Sequence, residues 1–307
     1  MSQTIATRST ASIWIQAVRP FAFSASVVPV LLGTAFAYFV TGEFSAIWFV
    51  LAMVGGVLLH SGANLMSDYY DFKKGADTPT TYGGSRVLVE ELISPARLLR
   101  GAWFCFGLAF AVGIVLVSQF GWTIVVLGLA GLAGGLFYTA GPVHFKYRAL
   151  GEPFVFTLFG PLMVLGAYFV QTSQLSWIPV IIAVPPSLLV AGILNANNWR
   201  DIRDDASAGF KTIPGQMSWK GARMLYHGII ISAYVLLVVT VALKLVPVWG
   251  LLSLITLIPS LKLHKIASAA KQFVPADIAT LDVATAQLHM QYGLLMTIGV
   301  VVARFMQ

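Results

Sequence analysis

Nine apolar runs constrain this chain more than any single motif does. They lie at about 21–40, 46–66, 99–118, 121–139, 153–170, 177–196, 228–246, 249–261 and 287–305. A helix rises 1.5 Å per residue, so about 20 such residues cross a hydrocarbon core about 30 Å thick. With 58% hydrophobic and only 10% charged residues, the chain cannot assemble a water-facing surface, and lipid has to cover its outside. Lipid offers exposed backbone groups no partners, and the alternating pattern of barrel strands is absent. The runs are therefore expected to be helices, giving an all-α polytopic membrane protein with nine transmembrane spans. The span at 249–261 is short and carries Pro259 near its end.

Charge then orders the spans. Drawn with nine crossings, 17 of the 19 Lys and Arg residues and 11 of the 12 acids fall on one side. The positive-inside rule places that side, with the N-terminus, in the cytoplasm and the C-terminus outside. The net charge of +7 is accounted for by topology and anionic lipid, so membrane lipid is the expected partner and nucleic acid is not. Residues 1–12 are polar and lead into a run without a small-residue cleavage site, so no cleaved signal peptide is expected. Cys105 is the single cysteine, which excludes an internal disulfide and a multi-Cys metal site.

Two loops on the charged side, at about 67–98 and 197–227, are long, and each opens with a cluster of acids. The first cluster holds Asn64, Asp68 and Asp71, running on to Gly75 and Asp77; the second holds Asn197, Asp201, Asp204 and Asp205. Four spans separate them, so both emerge on the same side as a parallel repeat, unlike the copies of an inverted transporter repeat. If the helices continue through the clusters, Asn64, Asp68 and Asp71 share one face, and Asn197, Asp201 and Asp205 nearly do. Paired sets of hard oxygen ligands suit Mg²⁺, which takes one or two carboxylates and completes its shell from water and substrate phosphate. Scattered His and one Cys argue against zinc. Lys73, Lys74, Arg86, Lys146, Arg148, Arg200 and Arg203 lie close enough in sequence to neutralise a diphosphate. A diphosphate head at the interface with a hydrocarbon tail inside the bundle is the substrate such a layout fits. The competing class is an ion-coupled transporter, which needs acids deep within spans; here they sit at span ends.

At these residues the chain resembles the UbiA-type superfamily of intramembrane prenyltransferases, nine-helix proteins that enclose an apolar cavity and join an isoprenoid diphosphate to an acceptor. The matching strings are N-x-x-x-D-x-x-D at Asn64, Asp68 and Asp71, the trailing G-x-D at Gly75 and Asp77, and N-x-x-x-D-x-x-x-D at Asn197, Asp201 and Asp205. A Tyr followed by a Lys, at Tyr138 and Lys146, adds a third element. The strings around Arg19-Pro20, Gly84-Ser85-Arg86, Lys146-Tyr147-Arg148 and Asn197-Asn198 are similar to the branch that prenylates 1,4-dihydroxy-2-naphthoate in menaquinone synthesis. Relatives acting on 4-hydroxybenzoate or homogentisate are the alternative.

The resemblance implies one intramembrane domain spanning 1–307, in a bacterial cytoplasmic membrane. It implies Mg²⁺ on Asp68, Asp71, Asp201 and Asp205 with Asn64 and Asn197, and catalytic parts for Lys146 and Asp77. Substrate contacts are implied for Asn64, Arg86, Tyr138, Asn197, Asn198, Arg148 and Lys73. The partners are then a polyprenyl diphosphate and the naphthoate. The reaction implied is diphosphate departure, attack of the ring on the allylic cation, and loss of the carboxylate and a proton. Ser67 stands where this branch commonly has Asn, and Glu91 stands where Gly is usual. Ile213-Pro214-Gly215 is also unusual after the second motif. Trp177 and Trp249 read as interface anchors. His60, one turn before Asn64, reads as a hydrogen-bonded core histidine.

Overall fold

A computed structural model describes residues 8–306; the polar start at 1–7 lies outside the described residues. Eight helices are long and apolar enough to cross a membrane, and a ninth is shorter. In chain order they are α1 (Pro20–Thr41), α2 (Ala46–Lys73), α3 (Pro95–Phe120), α4 (Trp122–Phe137) and α5 (Gly151–Thr172). The rest are α6 (Ile178–Arg200), α7 (Trp219–Ala242), α8 (Val248–Ala269) and α9 (Pro275–Phe305). These occupy the nine predicted positions, and among the described residues no strand longer than an isolated bridge forms. The short helix is α4, with 16 residues, at the fourth predicted run.

The span containing Pro259 extends beyond its predicted end. Its first nine residues, Val248–Thr256, wind as a tighter 3₁₀ helix, and the α-helical part runs from Leu257 to Ala269. Pro259 then falls in the first α-helical turn, where a missing N–H costs little. In α5, Pro161 sits inside a π-helical turn over Leu158–Leu162, the kind of ladder defect that accommodates a proline.

Two packed regions flank an open one. The larger core joins α1, α6, α7, α8 and α9 through Trp199, Tyr226, Leu237 and Tyr292. A second core joins the site end of α2 to α3 through Leu65, Leu98 and Phe106. Between them, α1 to α6 and the start of α9 line an apolar cavity of about 670 Å³. The outer surface carries Phe104, Ile258 and Leu261 exposed, as a lipid-facing surface requires.

Candidate functional site

The acid clusters meet at one end of the bundle because α2 and α6 both finish there. α2 remains helical through Lys73, so Asn64, Asp68 and Asp71 share a helix as their spacing predicts. α6 ends sooner, at Arg200; Asp201 leaves helical geometry, and a separate helix, Ile202–Ser207, carries Asp204 and Asp205. The second cluster is thus bent at Asp201, where a continuous helix was expected. The two clusters close alike. Gly75 (φ 76°) ends the first with Ala76 N–H donating to Asp71 O at 2.9 Å, and Gly209 (φ 76°) ends the second with Phe210 N–H donating to Asp205 O at 2.8 Å. This left-handed glycine closure is a common helix stop, and here it turns each chain back over its own acids.

A helix C-terminus carries partial negative charge, so acids there need cations. Three are supplied. Arg19 pairs with Asp68, which also accepts the Ser85 backbone N–H at 3.2 Å. Lys146 pairs with Asp71, whose other oxygen accepts the Tyr147 hydroxyl at 2.8 Å. Arg200 grips Asp201 through two bonds of 2.7 Å and reaches Asp282 at 2.9 Å. Ser67 donates to Asp71 at 3.1 Å and receives Lys146 at 3.1 Å, so its hydroxyl joins the network in place of the amide common at that position.

A polar pocket of about 40 Å³ lies among these groups, lined by Asp71, Asp77, Asp201, Asp204 and Asp205 with Arg19, Lys146 and Asn197. Arg19, Gly84, Lys146 and Asn197 also line the large apolar cavity, so the two spaces adjoin. Gly83 and Gly84 let the 74–94 loop pass between the acids. A Cβ on Gly83 would stand 3.0 Å from Asp201 Oδ2, and one on Gly84 2.8 Å from Asp77 Oδ2. Across the pocket, Lys211 N–H donates to Tyr147 O at 3.2 Å and Ala149 N–H to Lys211 O at 2.6 Å, tying the loop after α4 to the second cluster.

Burial dominates the electrostatics. It pushes Asp205 up to about 8, with Lys146 opposing and Asp201 and Asp71 adding. Asp77 is pushed up to about 6, first by burial and then by Asp71. Burial works against the Lys146 charge, but Asp71 more than offsets it and holds the ammonium above its ordinary range. Tyr147 is raised by burial and then by Asp71, so its hydroxyl stays a donor. Asp205 Oδ2 is buried with no hydrogen-bond partner among the described residues, an acceptor left over for a cation.

Not every residue singled out by sequence reaches the pocket. Lys73 is exposed beside the Tyr69 ring, and Arg148 is exposed, donating only to Pro142 O at 3.5 Å. Arg86 spends its guanidinium on Glu90, Thr81 O and Pro79 O, holding its loop instead of facing the pocket. Asn198 is buried against Glu152 at 3.0 Å. Asp68 is sealed behind Arg19 and Ser85 and does not line the polar pocket. Asn64 donates to Val18 O at 3.0 Å and, with Tyr138, lines the apolar cavity. Arg19, Tyr147 and Asp282 were not among the sequence candidates. The one signal for Arg19 was its place directly before Pro20 and the first span.

The pattern of the UbiA prenyltransferase family matches residues 26–274. The chain belongs to that family. Like its other members it is a prenyltransferase and an integral membrane protein. It is 31% identical to the 1,4-dihydroxy-2-naphthoate octaprenyltransferase of Bacillus subtilis (strain 168), over 95% of this chain and 93% of that one. It is also 31% identical to the UbiA prenyltransferase domain-containing protein 1 of Xenopus tropicalis, over 94% and 82%. Among solved structures, a UbiA homolog from Archaeoglobus fulgidus bound to DMAPP and Mg²⁺ superposes with a TM-score of 0.61 at 17% identity, covering 94% of this chain and 99% of that one. The UbiA fold is therefore common to both.

Proposed function

We propose that this protein transfers a polyprenyl chain from its diphosphate to 1,4-dihydroxy-2-naphthoate with loss of carbon dioxide, giving demethylmenaquinol. The observation that carries the reading is the junction of two spaces. A pocket of acids and cations opens against an apolar cavity of about 670 Å³ and shares four residues with it. A diphosphate head fits the first and a prenyl tail the second. The naphthoate acceptor is supported by the activity that names the Bacillus subtilis relative.

The residues present fit a divalent cation of the Mg²⁺ type. The donors are carboxylate oxygens, the helix C-termini add negative charge, and Asp205 Oδ2 is buried without a partner among the described residues. The relative solved with DMAPP and Mg²⁺ supports the choice of ion. We assign the ion to Asp71, Asp201 and Asp205, with Asn197 beside them and Asp68 joining if Arg19 turns to the diphosphate. When bound, Mg²⁺ draws negative charge off the departing diphosphate.

The chain's own groups do the rest. Lys146 and Arg19 face both spaces and neutralise the leaving group as the C–O bond breaks and its electron pair leaves with the diphosphate. The electron-rich ring then forms the new C–C bond with the allylic carbon, and loss of carbon dioxide returns the ring to aromaticity. The glycine loop and the strap tied at Lys211 cover the pocket and keep water from the cation. The chain acts as one intramembrane unit, with the basic loop side assigned to the cytoplasm by the positive-inside rule. The test is turnover by wild-type membranes given a long-chain prenyl diphosphate, Mg²⁺ and a panel of acceptors. Product from the naphthoate, lost on chelation and restored by Mg²⁺, is expected. Product from 4-hydroxybenzoate or homogentisate alone would overturn the assignment.

A further inference from the structure

His60 brings a polar ring, which a hydrocarbon tail cannot satisfy, to the lining of the apolar cavity. His60 on α2 and Ser26 on α1 lie side by side, with Ser26 Oγ 2.7 Å from His60 Nδ1. Ser26 is fully buried, and among the described residues its hydroxyl has no other partner. If Nδ1–H donated to Ser26, the Ser26 hydroxyl proton would be left buried and unpaired. The satisfied arrangement has Ser26 donating to Nδ1, which puts the ring proton on Nε2. Phe23 and Phe159 pack on the ring at centroid distances of 5.7 and 4.6 Å, and so fix its plane. His60 lines the cavity, and Nε2 has no partner among the described residues. His60 lies one turn deeper than Asn64 and about 12 Å along α2 from Asp68, counting eight residues at 1.5 Å each.

A prenyl chain meeting that N–H would leave it buried without a hydrogen bond, which is costly. A ligand oxygen removes that cost. We infer that His60, with its tautomer set by Ser26, binds a ring oxygen of the aromatic acceptor and thereby fixes which acceptors enter. The inference rests on the prenyl-transfer reading, but not on the naphthoate. It predicts an acceptor with a hydroxyl or carbonyl oxygen that accepts from Nε2, held deeper in the cavity than the diphosphate. The residue was expected from sequence to be a satisfied core histidine. One of its nitrogens is satisfied, and the other, on a residue that lines the cavity, has no partner among the described residues.

The test is steady-state kinetics of wild type, His60→Leu, His60→Gln and Ser26→Ala with 1,4-dihydroxy-2-naphthoate, its mono-methyl ethers, 4-hydroxybenzoate and homogentisate. His60→Leu is expected to raise the acceptor KM about tenfold, the equivalent of one hydrogen bond near 1.4 kcal/mol, with the prenyl diphosphate KM within about twofold. His60→Gln, which keeps an N–H donor, should recover most of the loss, a rescue that a purely structural role would not give. Ser26→Ala should give a smaller rise, and it carries the test if His60→Leu fails to fold. An unchanged acceptor KM in His60→Leu, or equal rises in both substrates' KM, overturns the inference and leaves the naphthoate reading standing. Turnover of another phenolic acceptor with the same KM split supports the inference while removing the naphthoate. No turnover with any acceptor by folded wild type overturns both.

Discussion

Arg200 offers the most exacting check on the electrostatic design. Its side chain is 2% exposed and makes three bonds to carboxylates, two of 2.7 Å to Asp201 and one of 2.9 Å to Asp282, plus one of 3.1 Å to Ala279 O. Arg200→Met leaves both acids, which are about one-tenth exposed, without their cation. Removing one partner of a buried pair costs about 3–5 kcal/mol, and the second stranded acid argues for the upper half of that range. Asp201 faces the polar pocket, where water can partly relieve it, so a loss of about 4 kcal/mol is expected. Arg200→Lys should fall between, because a point charge cannot grip Asp201 with two parallel bonds and still reach Asp282. Adding Asp282→Asn to Arg200→Met should recover about 1–2 kcal/mol by removing one stranded charge. The assay is denaturant unfolding in detergent micelles, followed by far-UV circular dichroism. A loss below about 1 kcal/mol, as for a solvent-screened pair, would refute the reasoning. So would a double variant less stable than the single one.

Three further outcomes follow from the same geometry. Tyr147→Phe removes the hydroxyl that holds Asp71 Oδ1 at 2.8 Å, and should lower kcat about tenfold, equivalent to about 1.4 kcal/mol, with little change in folding. Glu91 is exposed at φ 54°, in the left-handed region, so Glu91→Gly should stabilise the protein by about 1 kcal/mol, read as a rise in denaturation midpoint. Asp205 is pushed up to about 8 and Asp77 to about 6, so both shed protons only as pH rises through those values. A divalent cation needs the ionised form. Metal affinity of the protein without substrate should therefore increase from pH 6 to 8 and lose the upper part of that rise in Asp205→Asn, as measured by calorimetry.

The spans and the location of the site were legible because hydropathy and charge position are local properties. Asn64, Asp68 and Asp71 needed only the assumption that α2 keeps its helical period, which it does. The second cluster was less legible, since the bend at Asp201 depends on the glycine loop and Arg200 packed around it. Lys146 and Arg148 look interchangeable in sequence. The 3₁₀ turn at Phe145–Tyr147 sends Lys146 and Tyr147 inward and leaves Arg148 outside. Arg19 and Asp282 were missed because each finds its partner only when α1 and α9 dock. Gly is usual where Glu91 stands, and the positive φ there supplies the physical reason.

In the proposed mechanism both acid clusters hold one diphosphate and its metal at the mouth of one apolar cavity. The most direct measurement is Mg²⁺-dependent binding of a non-reactive prenyl thiodiphosphate to wild type, Asp71→Asn and Asp205→Asn in nanodiscs. Each substitution is expected to weaken Mg²⁺-dependent binding by about a hundredfold, equivalent to about 2.7 kcal/mol, although the two residues belong to different clusters. Binding without Mg²⁺ should change far less. Full Mg²⁺-dependent affinity in either variant would contradict the shared site.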